Sequence, residues 1–201
     1  MPKYYLFERN SDPGRWIRHP DGDPDNVPDV EWYYWRKGAF LPETEIIPDP
    51  IKFTLKPQSP WASDHGPHMP SYLRAAAPLF SDALIDALTA CGVDNLHCYP
   101  ITITDPDNGQ VHTNYKAVNI IGLLSAADMQ QSNATVNPNG PPLIDVDFDG
   151  LVIDETKAHG QLFFRLAEST NAIIVHEAVK QCLLSKGFTD LAFYETEKVA
   201  L

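Results

Sequence analysis

The chain has 201 residues, 43% hydrophobic and 21% charged, enough to close one sizeable core and far from the composition of a disordered polymer. Its net charge of −12 argues against nucleic-acid phosphate as a partner and suits a basic protein surface, which such a field would steer. No stretch has the length of a membrane-spanning helix, and residues 1–9 (MPKYYLFER) lack the apolar core and cleavage site of a signal peptide, so the expected location is the cytoplasm.

In chain order, residues 3–9 predict a short strand, with Tyr4 and Leu6 alternating against Tyr5 and Phe7. Residues 21–29 (DGDPDNVPD) carry turn and loop chemistry. Trp32, Tyr33, Tyr34 and Trp35 form an aromatic cluster with two readings: packing within the N-terminal region, or an interface hot spot rich in Trp and Tyr. Residues 51–55 alternate like a strand. Residues 57–70 are a loop with four prolines, Trp61, His65 and His68. On composition the chain divides into an aromatic and Pro-rich N-terminal extension, 1–60, and an α+β domain, 61–201.

From Pro78 the pattern changes. Phe80, Leu84, Ala87, Leu88 and Cys91 mark one helical face, closed by Gly92. Residues 96–104 predict a strand, 105–109 (DPDNG) a turn, 115–124 one apolar strand and 132–142 a loop. Residues 143–154 alternate, with Ile144, Val146 and Phe148 on one face and Asp145, Asp147 and Asp149 on the other. Strands follow at 162–166 and 172–175, a helix at 176–186 and a closing strand at 191–199.

Two of these segments match. SDALIDALTACGVDNLHCY (81–99) and HEAVKQCLLSKGFTDLAFY (176–194) align at a constant offset, 187 − 92 = 95, which pairs Gly92 with Gly187, Leu88 with Leu183, Leu96 with Leu191 and Tyr99 with Tyr194. The predicted fold class is therefore α+β, a mixed or antiparallel sheet with two similar helix-strand units. The match covers one unit each time and so does not predict a solenoid. Cys98 aligns with Phe193 and Cys182 with Ala87, positions that also accept apolar residues, so the three cysteines read as buried reduced thiols.

Two motifs invite chemistry. Asp145-Val-Asp147-Phe-Asp149-Gly150 matches the first half of a calcium loop, but position twelve is Thr156 where a bidentate Glu belongs, and the alternation through it reads as an acid-faced strand. Asp64-His65-Gly-Pro-His68 sets two imidazoles three apart beside an acid; zinc needs three or four ligands, and Gly66-Pro67 forbids the helix of a zinc protease motif. The plain reading is a polar loop. A metal-dependent enzyme using His65 and His68, and a calcium-dependent binding module using the three aspartates, are the alternatives. No nucleophile elbow, phosphate loop or dinucleotide fingerprint is present in the sequence.

The succession YKAVNIIGLLSAADMQQS (115–132), IDVDFDG (144–150), LFFRL (162–166), IIVHEA (173–178) and KGFTDLAF (186–193) resembles the bacterial polymorphic-toxin immunity family numbered eleven, over roughly residues 75–201. His176 stands where that family has a serine-like helix cap. The resemblance implies a cytoplasmic protein that binds and neutralises a cognate toxin stoichiometrically, with no catalytic residues and no cofactor. It leaves oligomeric state and the toxin's identity open. The acidic charge suits a basic toxin such as a nuclease, and the surface expected to meet it comprises Asp145, Asp147 and Asp149 with Trp32 and Trp35.

Overall fold

The computed structural model describes residues 4–10, 14–17, 33–58, 68–137, 139 and 146–201. In chain order they form β1 (Tyr4–Arg9), α1 (Tyr33–Arg36), β2 (Ile51–Thr54), β3 (Tyr72–Arg74), β4 (Pro78–Ser81), α2 (Asp82–Ala90), β5 (Leu96–Thr104), β6 (Val111–His112) and β7 (Tyr115–Ile120). There follow β8 (Leu123–Leu124), β9 (Ala134–Val136), β10 (Val146–Phe148), α3 (Glu155–Ala158), β11 (Phe163–Leu166), β12 (Ile173–His176), α4 (Glu177–Ser185), β13 (Leu191–Glu195) and a 3-10 turn, Thr196–Lys198.

The matched segments fold alike, and the likeness starts one strand earlier than the sequence shows. At the same offset of 95, β4 maps onto β12, α2 onto α4 and the start of β5 onto the start of β13. The cause is local. Ser81 is extended (φ −64°, ψ 151°) and its Oγ accepts from the Leu84 N–H at 3.2 Å, satisfying an orphan donor of the first helical turn. His176 does the same with a ring nitrogen: Nδ1 accepts from the Ala178 N–H at 3.1 Å. Asp82 and Glu177 follow each cap, where the helix dipole favours an acid. Both helices stop where a glycine turns left-handed, Gly92 at φ 91° and Gly187 at φ 87°. Nine-residue helices are marginal alone, so packing holds them: Leu84 and Leu88 in α2, and the equivalent Val179 and Leu183 in α4, are fully buried.

Each unit sits in its own sheet. One sheet has the order β13-β1-β12-β11-β8, the other β2-β5-β7-β4-β3 with β6 against β5. In both, the strands flanking the helix are parallel to each other but separated by a strand antiparallel to both, β7 in one and β1 in the other. The registers agree: Tyr115 opposes Ser81 and Ile120 opposes Leu96, while Tyr4 opposes His176 and Arg9 opposes Leu191, so β7 maps onto β1 with one offset (115 − 4 = 120 − 9 = 111). The hairpins β3–β4 and β11–β12 complete the correspondence. The first sixty residues thus contribute β1, an inner strand, and β2, which pairs with β5 in parallel.

One core joins the two sheets. Phe7 of β1 stacks on Tyr72 of β3 (5.6 Å) and meets Phe80 and Phe163 edge-on (5.9 and 5.2 Å), over Leu88 and Leu183 of the two helices. A second core lies under β10 and α3, and a third around Trp35, Ile51 and Leu79.

Several expectations change. Phe80 belongs to β4, not to the helix: Pro78 opens that strand and Ser81 caps the helix after it. The apolar run 115–124 is two strands in different sheets, because the chain turns at Gly122 (φ 117°) between β7 and β8. The 132–142 loop contains β9, and the closing strand ends at Glu195. The reading of all three cysteines as reduced thiols is overturned: α2 and α4 lie together, and Cys91 and Cys182 form a disulfide with their Cα atoms 5.9 Å apart. Cys98 is free and half-buried, and burial pushes its thiol pKa up, away from nucleophilic character.

Candidate binding surfaces

The acidic row is built by β10, which pairs with β9 in antiparallel register (Asp147 opposite Thr135). Val146 and Phe148 point into the second core, while Asp147 and Asp149 are exposed, as alternation requires. Asp145 lies outside the described residues. Beyond Phe148 the chain runs beside the C-terminal segment: Asp149 bridges to Ala200, and the N–H groups of Gly150 and Leu151 donate to the carbonyls of Val199 and Thr196, both at 3.0 Å. This brings the row next to an open cleft of about 430 Å³ lined by Tyr4, Val152, Ile153, Glu155, Glu195, Thr196 and Glu197. Lys198 pairs with Glu195 (2.9 Å) and Lys157 with Asp154 (3.6 Å), which leaves Glu155 and Glu197 as the acids on the cleft wall without an ion pair among the described residues. Desolvation, then the charge of Glu155, raises the pKa of the Tyr4 phenol, so that side chain meets the cleft as a neutral hydroxyl.

This geometry differs from a calcium loop. Residues 146–148 are extended and Asp149 continues into a bridge with Ala200, so Asp147 and Asp149 stand along a strand and do not wrap one point. Thr156, at the position of the missing Glu, is taken up by the cap of α3, its N–H and Oγ1 both donating to Asp154 Oδ1 at 3.0 and 2.6 Å. Gly150 is needed for a different reason: at φ 103°, a Cβ there would stand 3.1 Å from the Glu197 carbonyl oxygen.

The other sequence candidates separate. Trp35 is withdrawn as a contact residue: it is 0% exposed, its ring packed 4.8 Å from Tyr99 within the third core, so it has no surface to offer. Trp32 and His65 lie outside the described residues. His68 is exposed, its carbonyl accepting from the Arg15 N–H (2.8 Å), and it borders a shallow hollow with Lys186 and Asp190. Among the described residues no group of three or more His, Cys, Asp and Glu is placed to hold a metal ion.

Sequence reasoning missed two features. The first is an exposed aromatic step beside β5. Phe40 (68% exposed) packs edge-on to His97 at 5.6 Å, the Tyr99 hydroxyl lies 3.2 Å from His97 Nδ1, and Ile46 is 87% exposed. Tyr99 and His97 alternate with core residues, a period-2 signal that carries no hint of Phe40 arriving from another element. The second is a set of buried arginines. Arg15 is held between Asp105 (2.7 Å) and Asp107 (2.8 Å), which pins the β5–β6 turn to residue 15. Arg165, on β11, is buried among core residues.

The family comparison agrees with the architecture. The model of the Immunity protein family (Imm11) matches residues 8–198, a span that begins at the last two residues of β1 and takes in all the segments on which the resemblance rested. None of the curated proteins matches the chain. With nearly the whole fold inside that match, the chain belongs to the Imm11 immunity protein family.

Proposed function

We propose that this chain is a non-enzymatic immunity protein that neutralises one cognate toxin by forming a stoichiometric complex in the cytoplasm of the cell that makes both. Family membership carries this reading, because what an immunity protein needs is a complementary surface. The partner surface in this proposal is the acidic region of Asp147 and Asp149 with the neighbouring Glu155 and Glu197 cleft, and the toxin face that meets it is basic. Two observations support the choice. The net charge is −12, and the acids of β10 stand in water on a strand whose opposite face is core. Carboxylates in a row repel one another and add nothing to folding, whereas opposite a basic face they speed encounter and fix orientation. A stable complex covers about 800 Å² on each partner, so the row is one part of the contact.

The test is the pair of variants Asp147→Lys and Asp149→Lys, combined, measured against the purified toxin by stopped-flow association at low and moderate salt. The expected result is association slower by about tenfold or more at low salt, with a flatter salt dependence. An unchanged rate and affinity in a folded variant removes this region from the contact.

A further inference from the structure

In a protein of net charge −12, three arginines converge on one cleft. It opens where the two corresponding hairpins approach each other. The β3–β4 hairpin supplies Tyr72, Arg74 and Pro78, the β11–β12 hairpin supplies Arg165 and Asn171, and Arg36 comes from the end of α1. Among the described residues no carboxylate lines it.

Arg165 is the unusual member. It is 4% exposed, on a strand whose neighbours Phe163, Phe164 and Leu166 are all core. Its Nη1 donates to the Thr170 carbonyl at 3.0 Å, and its Nε is buried with no acceptor among the described residues. Desolvation, reinforced by the charge of Arg36, pushes its pKa down to about 10. A guanidinium without a counter-charge is an expensive thing to bury, and strands seldom hold one without a use for it. Arg74 has one carboxylate in reach, Glu8, at a loose 3.5 Å, and Arg36 has no ion pair among the described residues.

We infer that this cleft binds a small phosphate-type oxyanion, seated against Arg165 and closed over by Arg36 and Arg74. The charge decides the class. Three guanidiniums against one distant carboxylate leave an excess of about two positive charges, which a dianion balances and a single carboxylate does not. Tyr72 adds a hydroxyl that burial keeps protonated, and Asn171 an amide, so neutral donors stand beside the charged ones. The cleft is half-open and small, with a cavity volume of about 60 Å³, which is the scale of a single phosphate-sized group and not of a polymer. The inference is independent of toxin binding, and its failure leaves that reading untouched.

The experiment is titration of the purified full chain with inorganic phosphate, followed by 31P line broadening and by thermal unfolding, with sodium chloride and sodium acetate at matched ionic strength as separate arms. Saturable phosphate binding, absent with chloride and weaker with acetate, is expected. Arg36 and Arg74 are not in the core, so Arg36→Ala with Arg74→Ala keeps the fold and weakens phosphate binding by about ten- to a hundredfold, the loss of two charge-assisted contacts. Arg165→Met tests the seat itself, and near-ultraviolet circular dichroism checks that the variant is folded. No saturable phosphate binding by the unmodified chain, a preference for acetate, or equal binding by the double variant would each overturn the inference.

Discussion

The two strand-helix-strand units have first strands and helices of equal length, helices capped by an extended residue whose side chain accepts from the first turn, and the same register to their central strand, yet they are completed in opposite ways. In the first unit the central strand is β7, a few residues after β5, so the pairing is local. In the second it is β1, from the far end of the chain, and Tyr4 pairs with His176. The same local code therefore tolerates a neighbouring strand or a distant one, because what it fixes is the helix and its two flanks, while the strand between them needs only an apolar alternation and matching register. The outer edges differ as well. β5 runs on to Thr104 and carries β2 and β6, whereas β13 ends at Glu195 with β1 as its only strand neighbour among the described residues.

If the units are equivalent in energy as well as shape, truncating their matched core leucines has matched consequences. Leu88→Ala and Leu183→Ala are each expected to cost about 2–5 kcal/mol in urea unfolding, the range for emptying a fully buried leucine site. Costs differing by more than about 2 kcal/mol would show that the likeness is one of backbone only.

The disulfide sharpens the comparison, since it ties the end of α2 to the middle of α4 and not to its counterpart. Replacing Cys91 and Cys182 together by Ser is expected to lower the stability of the oxidised protein by about 2–4 kcal/mol, and reductant should lower the unmodified protein by a similar amount. Reductant acting equally on the variant and the unmodified chain would contradict this. The cytoplasmic residence proposed above would oppose such a bond, so thiol trapping in intact cells, with Cys98 as internal control, reads which state the protein holds there.

The caps give a smaller difference with a defined sign. Ser81→Ala removes one hydrogen bond to a helix terminus, worth about 1 kcal/mol. His176→Ala removes a capping bond of the same kind, from the Ala178 N–H, and an edge-on contact with the Tyr4 ring at 5.2 Å, so it should cost roughly 0.5–1 kcal/mol more. An equal or smaller cost would make His176 a mere replacement for serine.

Weakest of all is the acid limb of stability. Hydrogen bonds hold three carboxylates below their ordinary pKa: the Gln58 N–H and Arg15 on Asp107, the Gln130 and Gln131 N–H groups on Asp128, and Thr156 on Asp154. A depressed folded pKa gives stability that is complete above the unfolded value, near 4, and fades as pH falls through the folded value. The urea midpoint should fall on acidification below about pH 4, and Asp107→Asn should make that fall shallower. A variant with an unchanged pH profile would show that the Asp107 bonds are lost in solution.

The sequence made the repeat legible because caps, terminal glycines and buried leucines are local signals that recur in order. The alternation at 143–154 likewise placed Asp147 and Asp149 in water. What stayed hidden needed a second element. Cys182 aligns with Ala87 and not with Cys91, so the comparison that revealed the units gave no reason to pair those cysteines; only the packing of α2 on α4 does. Trp35 carries the residue type of a hot spot, and its burial depends on Tyr99 and β2 arriving beside it. Arg165 sits in a run, LFFRL, that reads as core strand, and its cleft is assembled from three separate segments.

The most direct test of the immunity reading is a titration of the cognate toxin's activity with this protein at toxin concentrations well above the dissociation constant. Stoichiometric neutralisation predicts a straight decline that reaches zero at a fixed small ratio, with intact toxin recovered when the complex is dissociated. Complete loss of activity at catalytic amounts, with the toxin chemically altered, or no loss at any ratio, would contradict it.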